Sequence, residues 1–168
     1  MRLKGDRIFW DLDGVLRNVL YKFHNGDIDN WDMKNGSGKT AVEHVEEDLN
    51  VLVEAPEMEY VNLAKEFFPL HVISAQPDHW RPYTNIWLDK HLPGAKVKYL
   101  LDTQHKLRYL ECGTRVLVED CPLYSDYTHI ILVDRPYNRD IKVPRRAGTP
   151  EELMVELRRF LNEKNPYQ

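Results

Sequence analysis

Cysteine is scarce in this chain of 168 residues: there are two, Cys112 and Cys121. A single pair cannot build a disulfide framework, and these two flank the apolar run Val116-Leu117-Val118. If that run is a strand, it holds their Cα atoms beyond the ~7 Å that a disulfide can bridge. Reduced thiols and a cytoplasmic setting are therefore expected. No apolar run approaches the ~18 residues needed to span a bilayer. The start Met1-Arg2-Leu3-Lys4 is basic, but Asp11 and Asp13 interrupt the apolar stretch that follows, which argues against a secretory leader. Long blocks of Lys and Arg are missing too: 23 basic residues face 27 acidic ones, for a net charge of −4. Such a chain is poorly suited to gripping duplex nucleic acid, whereas a small anionic ligand needs only a local positive site. The seven histidines show no metal-ligand spacing, and there is no internal repeat or low-complexity segment.

What the chain does have is a composition for folding, 42% hydrophobic and 30% charged, at a length suited to one domain over residues 1–168. Five short β-branched or aromatic runs read as strands, at 7–10, 70–73, 97–101, 115–118 and 129–133. Helical patterns fall between and after them. Pro56 can open one helix, with Met58, Val61, Ala64, Phe67 and Phe68 on one face up to Pro69. Trp80, Tyr83, Trp87 and Leu88 form a second apolar face closed by Gly94, and a third helix runs over 103–112 to Gly113. The last begins at the capping box Thr149-Pro150-Glu151-Glu152 and carries Leu153, Leu157, Phe160 and Leu161 at helical spacing. Strands alternating with helices predict an α/β fold: a mostly parallel sheet of about five strands with helices on both faces. Residues 17–55 break that rhythm, with Asn25-Gly26, Asn35-Gly36 and Gly38 as breakers, and read as a small inserted cap. The Arg- and Pro-rich stretch 135–148 reads as a surface connection.

The strongest chemical signal is Ile8-Phe9-Trp10-Asp11-Leu12-Asp13-Gly14, a strand that ends in two carboxylates and a glycine. Along a continuing strand Asp11 and Asp13 would point the same way; Gly14 lets the chain turn instead. Two acids at the end of a buried strand are costly without a compensating cation, and a plain Asp-Gly turn accounts for only one of them. An EF-hand does not fit, because its glycine stands at loop position six and Gly14 would be the fourth. Val116-Leu117-Val118-Glu119-Asp120 repeats the strand-then-acids pattern. Taken alone, these acids read as solvated loop residues. If the first and fourth strands are neighbours where strand order reverses, however, Asp11, Asp13 and Asp120 converge on a hard dication such as Mg²⁺. Ser74-Ala75 ends a further strand in a hydroxyl and free N–H groups, which suit an anion, although a serine turn explains them equally well. Lys106 stands early in its helix, where a cation works against the dipole. Asn35-Gly36-Ser37-Gly38-Lys39-Thr40 imitates a P-loop, but the first glycine that motif requires is Met33 here and no strand precedes it.

In order, Asp11-x-Asp13-Gly14-Val15-Leu16, Ser74, Lys106 and Glu119-Asp120 resemble the four motifs of the haloacid dehalogenase (HAD) superfamily of phosphotransferases. Within it the chain is similar to the 5′(3′)-deoxyribonucleotidases, on Leu52-Val53-Glu54-Ala55-Pro56, Ile73-Ser74-Ala75-Gln76-Pro77, Trp87-Leu88, Thr103-Gln104-His105-Lys106, Tyr137-Asn138 and Val143-Pro144-Arg145-Arg146. The resemblance implies a Rossmann-like fold and Mg²⁺-dependent dephosphorylation of (deoxy)ribonucleoside monophosphates. Asp11 would be the nucleophile and Asp13 the general acid and base. Ser74, the N–H of Ala75 and Lys106 would hold the phosphoryl group. Asp11, the carbonyl of Asp13 and Asp120 would bind the metal, with Glu119 just outside the ligand set. The implied partner is a small phosphomonoester, with no duplex nucleic acid or membrane, and a homodimer is left open. The family stacks its base on cap aromatics; the position matching one of them is Val19 here, leaving Tyr21, Phe23 and Trp31 as candidates. A polynucleotide 3′-phosphatase, another small-molecule HAD phosphatase and a non-catalytic protein of this fold are the alternatives.

Overall fold

The protein is seen in a computed structural model that describes residues 3–23, 28–30, 32–110, 114–124 and 127–163. Asn25-Gly26, Trp31, Cys112 and Gly113, each given a role above, lie outside the described residues. The main sheet has six strands, β2 (Ile8–Asp11), β4 (His71–Ala75), β5 (Lys96–Leu100), β6 (Val116–Glu119), β7 (Ile130–Val133) and β8 (Arg146–Ala147), all parallel in the order β5-β4-β2-β6-β7-β8. The chain thus builds outward from β2 to β5, then crosses back to lay β6 on the other side of β2. Phe9 sits in register with His71 on one flank and Leu117 on the other. Loops leaving β2 and β6 diverge there and open a crevice beyond their carboxyl ends, a Rossmann-like switch point.

Five strands were expected in this sheet and six form. The sixth, β8, lies inside the stretch read as a surface connection; two residues are too short a run to carry a hydrophobic period, and only pairing with β7 identifies them. A second difference concerns 56–68. The helix there, α3, covers only Val61–Ala64, because Phe67–Phe68 is drawn out as β3 to pair with β1 (Leu3–Lys4). Pro56 opens no helix: its carbonyl accepts from the N–H of Asn18, Met58 N–H bonds to Leu16, and Arg17 and Glu57 are bridge partners. The two ends of the 17–55 segment therefore lie side by side.

Helices cover both faces of the sheet. On one, α4 (Arg81–His91) and α6 (Pro150–Asn162) set Trp87, Leu88, Leu153, Leu157 and Phe160 against Ile8, Trp10, Val72, Val118 and Ile131. On the other, α5 (Thr103–Leu110) packs Leu107 and Leu110 with Phe9, Ile73, Leu117 and Ile130. Each such side chain taken out of water contributes roughly 1.5–3 kcal/mol. Thr149 caps α6 by accepting from the N–H of Glu152, while the Glu152 carboxylate reaches Gly148 rather than the cap residue itself. Within 17–55, α1 (Ala41–Glu47) and α2 (Val51–Glu54) pack with Val19, Leu20, Phe23, Ile28 and Trp80 into a cluster separate from the sheet's core. The P-loop look-alike is an Asx turn. Asn35 Oδ1 accepts from the N–H groups of Ser37 and Lys39, and Thr40 forms a full capping box with Glu43 at the start of α1. Among the described residues no helix is long and apolar enough to cross a membrane.

Candidate active site

Of the three acids expected to converge, Asp11 and Asp120 meet, and Glu119 rather than Asp13 completes the cluster. Asp11 closes β2 and Glu119 closes β6; Asp120 follows one residue on, and ligand atoms of all three lie within 4.8 Å of one another, all buried. Their convergence follows from the switch point, since β2 and β6 are direct neighbours that end at the same level. Gly14 makes room for it. Its φ of +89° suits glycine, and a Cβ there would stand 2.1 Å from Asp120 Oδ2 and 3.0 Å from the Tyr137 hydroxyl.

Among the described residues, one cation serves this cluster. Lys106 is aimed from the first turns of α5 into the crevice, where its Nζ donates to Asp11 and, at 3.0 Å, to Glu119 Oε2. That explains a lysine set against the dipole of its own helix. The other oxygen of Glu119 accepts from the N–H groups of Asp120 and Cys121, at 3.0 and 3.2 Å, so both its oxygens are engaged within the protein. Asp120 is gripped differently: Tyr137 donates to its carboxylate, and Asn138 Nδ2 donates to its backbone carbonyl at 2.7 Å and to that of Val133 at 2.8 Å.

Three carboxylates and one ammonium leave negative charge uncompensated, and proton affinities respond. Burial, then the charge of Glu119, pushes Asp11 up to about 8, with Lys106 opposing. Burial, then Glu119 and Asp11, also raises Asp120 well above the usual carboxylate range. Burial works against a charged Lys106, but Asp11 and Glu119 outweigh it and hold the ammonium well above its ordinary value. The directions agree: Lys106 gains from Asp11 and Glu119, while Asp11 and Asp120 are both held toward their protonated forms. A cation held by oxygen would offset this charge, and Asp11, Glu119 and Asp120 together could hold a metal ion.

Asp13 faces elsewhere. Arg17, fully buried, clamps it with Nε on Oδ1 at 2.7 Å and Nη2 on Oδ2 at 3.0 Å. β2 stops at Asp11, so Asp13 lies past the end of the strand. Asp13 and Asp11 nonetheless border one cavity of about 340 Å³, together with Ser74, Ala75, Lys106, Glu119 and Asp120. Asp11 pairs in register with Ile73, so Ser74 and Ala75 extend one and two residues past the end of β2. The opposite wall is apolar: Val19, Ala41, Val42 and Val45 from the 17–55 segment, and Trp80.

Of the cap aromatics proposed from sequence, Phe23 is buried in the segment's own cluster and Tyr21 bonds Glu54 at the surface. Val19 does reach the cavity, but the aromatic on its wall is Trp80, whose indole N–H donates to Glu46 of α1 at 2.8 Å. Sequence reading puts Trp80 on one helix face with Trp87 and Leu88; Trp80 instead ends a short turn just before α4 and packs with the 17–55 cluster, while Trp87 and Leu88 pack on the sheet. Sequence reading also missed Arg17, which looks like an ordinary charged turn residue; its one local signal is the i,i+4 spacing to Asp13. Cys121 carries a free thiol, which burial pushes up to about 12. No family model matches this chain, and no curated protein matches it.

Proposed function

We propose that this protein is a Mg²⁺-dependent phosphomonoesterase of HAD type that dephosphorylates (deoxy)ribonucleoside monophosphates through an aspartyl-phosphate. The observation that carries the reading is the buried Asp11–Lys106–Glu119 contact with Asp120 alongside, at the switch point of a parallel sheet. A carboxylate attacking a phosphate is anion meeting anion, and such a site must supply positive charge. Asp11, the carbonyl of Asp13 and Asp120 would hold Mg²⁺, which when bound offsets charge on nucleophile and phosphate.

In this reading an Asp11 oxygen attacks phosphorus, the P–O ester bond breaks, and Asp13 passes a proton to the departing oxygen, releasing the alcohol. Asp13 then takes a proton from water as the water oxygen bonds to phosphorus; the Asp11–phosphorus bond breaks and inorganic phosphate leaves. Lys106, Ser74 and the N–H of Ala75 hold phosphoryl oxygens throughout. The aliphatic wall of Val19, Val42 and Val45 with Trp80 favours a flat or apolar leaving group over a polyhydroxylated one. Apart from Lys106, no Lys or Arg lines the cavity among the described residues, which speaks for a small substrate over a polynucleotide end.

The test is phosphate release with Mg²⁺ from 5′- and 3′-deoxy- and ribonucleotides beside sugar phosphates and single-stranded DNA ends, reported as kcat/KM. Nucleoside monophosphates should lead, and Asp11→Asn should abolish the activity. Inactivity across the panel, or substantial turnover by the Asn variant, defeats the proposal.

A further inference from the structure

Arg17 is an expensive residue to bury. A fully enclosed guanidinium forgoes its hydration, so its contacts must compensate. All three of its nitrogens are used. Nε and Nη2 form the fork on Asp13, and Nη1 donates to the Leu52 carbonyl at 3.0 Å and to Thr84 Oγ1 at 3.1 Å. Thr84 in turn donates to Gln76 Oε1 at 2.8 Å, and the guanidinium carbon lies 5.7 Å from the centre of the Trp87 ring. The group therefore rests on α4, on α2 of the 17–55 segment, and through Thr84 on the loop that follows Ser74.

Asp13 needs such support. It stands beyond the end of β2 and just before the positive-φ Gly14, and its backbone is bridged to Arg17 itself rather than to a strand of the sheet. A planar two-point fork removes rotation that a single hydrogen bond would allow. Each Asp13 oxygen keeps a further lone pair, and the side chain remains 21% exposed on the cavity.

We propose that Arg17 is the positioning residue for Asp13: it holds the carboxylate at the angle from which a proton passes to the leaving oxygen and later comes off the attacking water. The proposal rests on the phosphatase reading and adds to it. It makes a prediction that a purely structural arginine does not. When the leaving group is p-nitrophenolate, which departs without a proton, transfer of the phosphoryl group to Asp11 no longer needs Asp13; the water step still does.

The experiment compares the full-length wild type with Arg17→Met on p-nitrophenyl phosphate and on a simple alkyl phosphate, with Mg²⁺, in stopped flow and at steady state. A misaligned proton donor typically costs about 100-fold. Arg17→Met should therefore lose about 100-fold in kcat on the alkyl ester with little change in KM. On the aryl ester it should release one equivalent of p-nitrophenol per enzyme near the wild-type rate, followed by slow turnover. Equal losses on both esters without a burst, or no loss on either, overturn the assignment. If Arg17→Met does not fold, Arg17→Lys carries the test: it retains the charge but not the fork, and the same burst at smaller amplitude supports the role while its absence overturns it. Failure of the wild type on both esters would defeat the phosphatase reading itself, a different result from a wild type that works and a variant that matches it.

Discussion

Asp11 and Asp13 are separated by one residue, yet they occupy opposite electrostatic surroundings. Asp11 shares a single lysine with Glu119 and lies close to Asp120, so negative charge there exceeds positive. Asp13 has a guanidinium to itself, saturated on its far side by Leu52 and Thr84. One side of the crevice is left short of a cation and the other is complete. The first arrangement could take up a metal ion; the second holds a side chain still.

Removing each carboxylate in turn should separate the two surroundings most widely. Asp11→Asn should lower kcat by about 10⁴-fold or more, the scale on which losing a nucleophile is felt. It should nevertheless raise the thermal midpoint of the metal-free protein at pH 8, because one under-compensated charge is gone. Asp13→Asn should do the reverse to stability. It strands a buried guanidinium, and because Asp13 is partly exposed the loss should be about 2–3 kcal/mol, below the ~3–5 typical of a fully buried broken pair. Calorimetry of both variants checks this, and equal shifts would erase the contrast.

Gly14 joins the two sides, so its replacement tests them together. Gly14→Ala forces a side chain into positive φ, at roughly 1–2 kcal/mol, and drives a methyl into the Asp120 carboxylate. Titration calorimetry should show Mg²⁺ affinity falling by about 10–100-fold, the range for disturbing a ligand's support.

The under-compensated side carries a pH dependence of its own. Asp11 takes up its proton near pH 8 when folded, against an ordinary 3.8, so between those values the folded chain binds more protons than the unfolded one. Stability from this group is fully present below about pH 4 and is lost as pH rises toward 8; Asp120 acts in the same direction. Melting curves of the metal-free protein should therefore fall across that window. Mg²⁺ should oppose the fall, by about 2.7 kcal/mol at 100 times its Kd, and more at pH 8 than at pH 5.5, where protons compete for the same oxygens.

The smallest effect belongs to the apolar wall. Glu46 takes the Trp80 indole N–H and contacts His79 at 2.9 Å, all near the surface. Glu46→Gln should change KM a few-fold, with kcat unaltered, in steady-state assays on a nucleotide. A change confined to kcat would detach Trp80 from substrate binding.

Much of this site could be read before any coordinates. Apolar runs ending in acids mark strand ends, and strands alternating with helices imply a parallel sheet whose carboxyl ends gather those acids. Hence Asp11 was legible from a short local pattern, while Glu119, Asp120, Ser74 and Lys106 gained meaning only when taken together with it. The helix over 56–68 was misread because Phe67 and Phe68 have the right spacing for a helix but are held by a partner strand sixty residues away. Tyr137 and Asn138 were visible as a resemblance, while their grip on Asp120 was not.

Residue order alone determined the alternating architecture and the acids that stand where its strands end, because hydrophobic period and turn chemistry act over a few neighbours. Only the tertiary structure decided that β6 returns to lie beside β2, that Lys106 is the sole cation among the described residues reaching the Asp11 cluster, and that Arg17 turns inward to Asp13. The physical reason is that the charge state and direction of a buried group depend on what surrounds it in space, and those surroundings come from segments far apart along the chain.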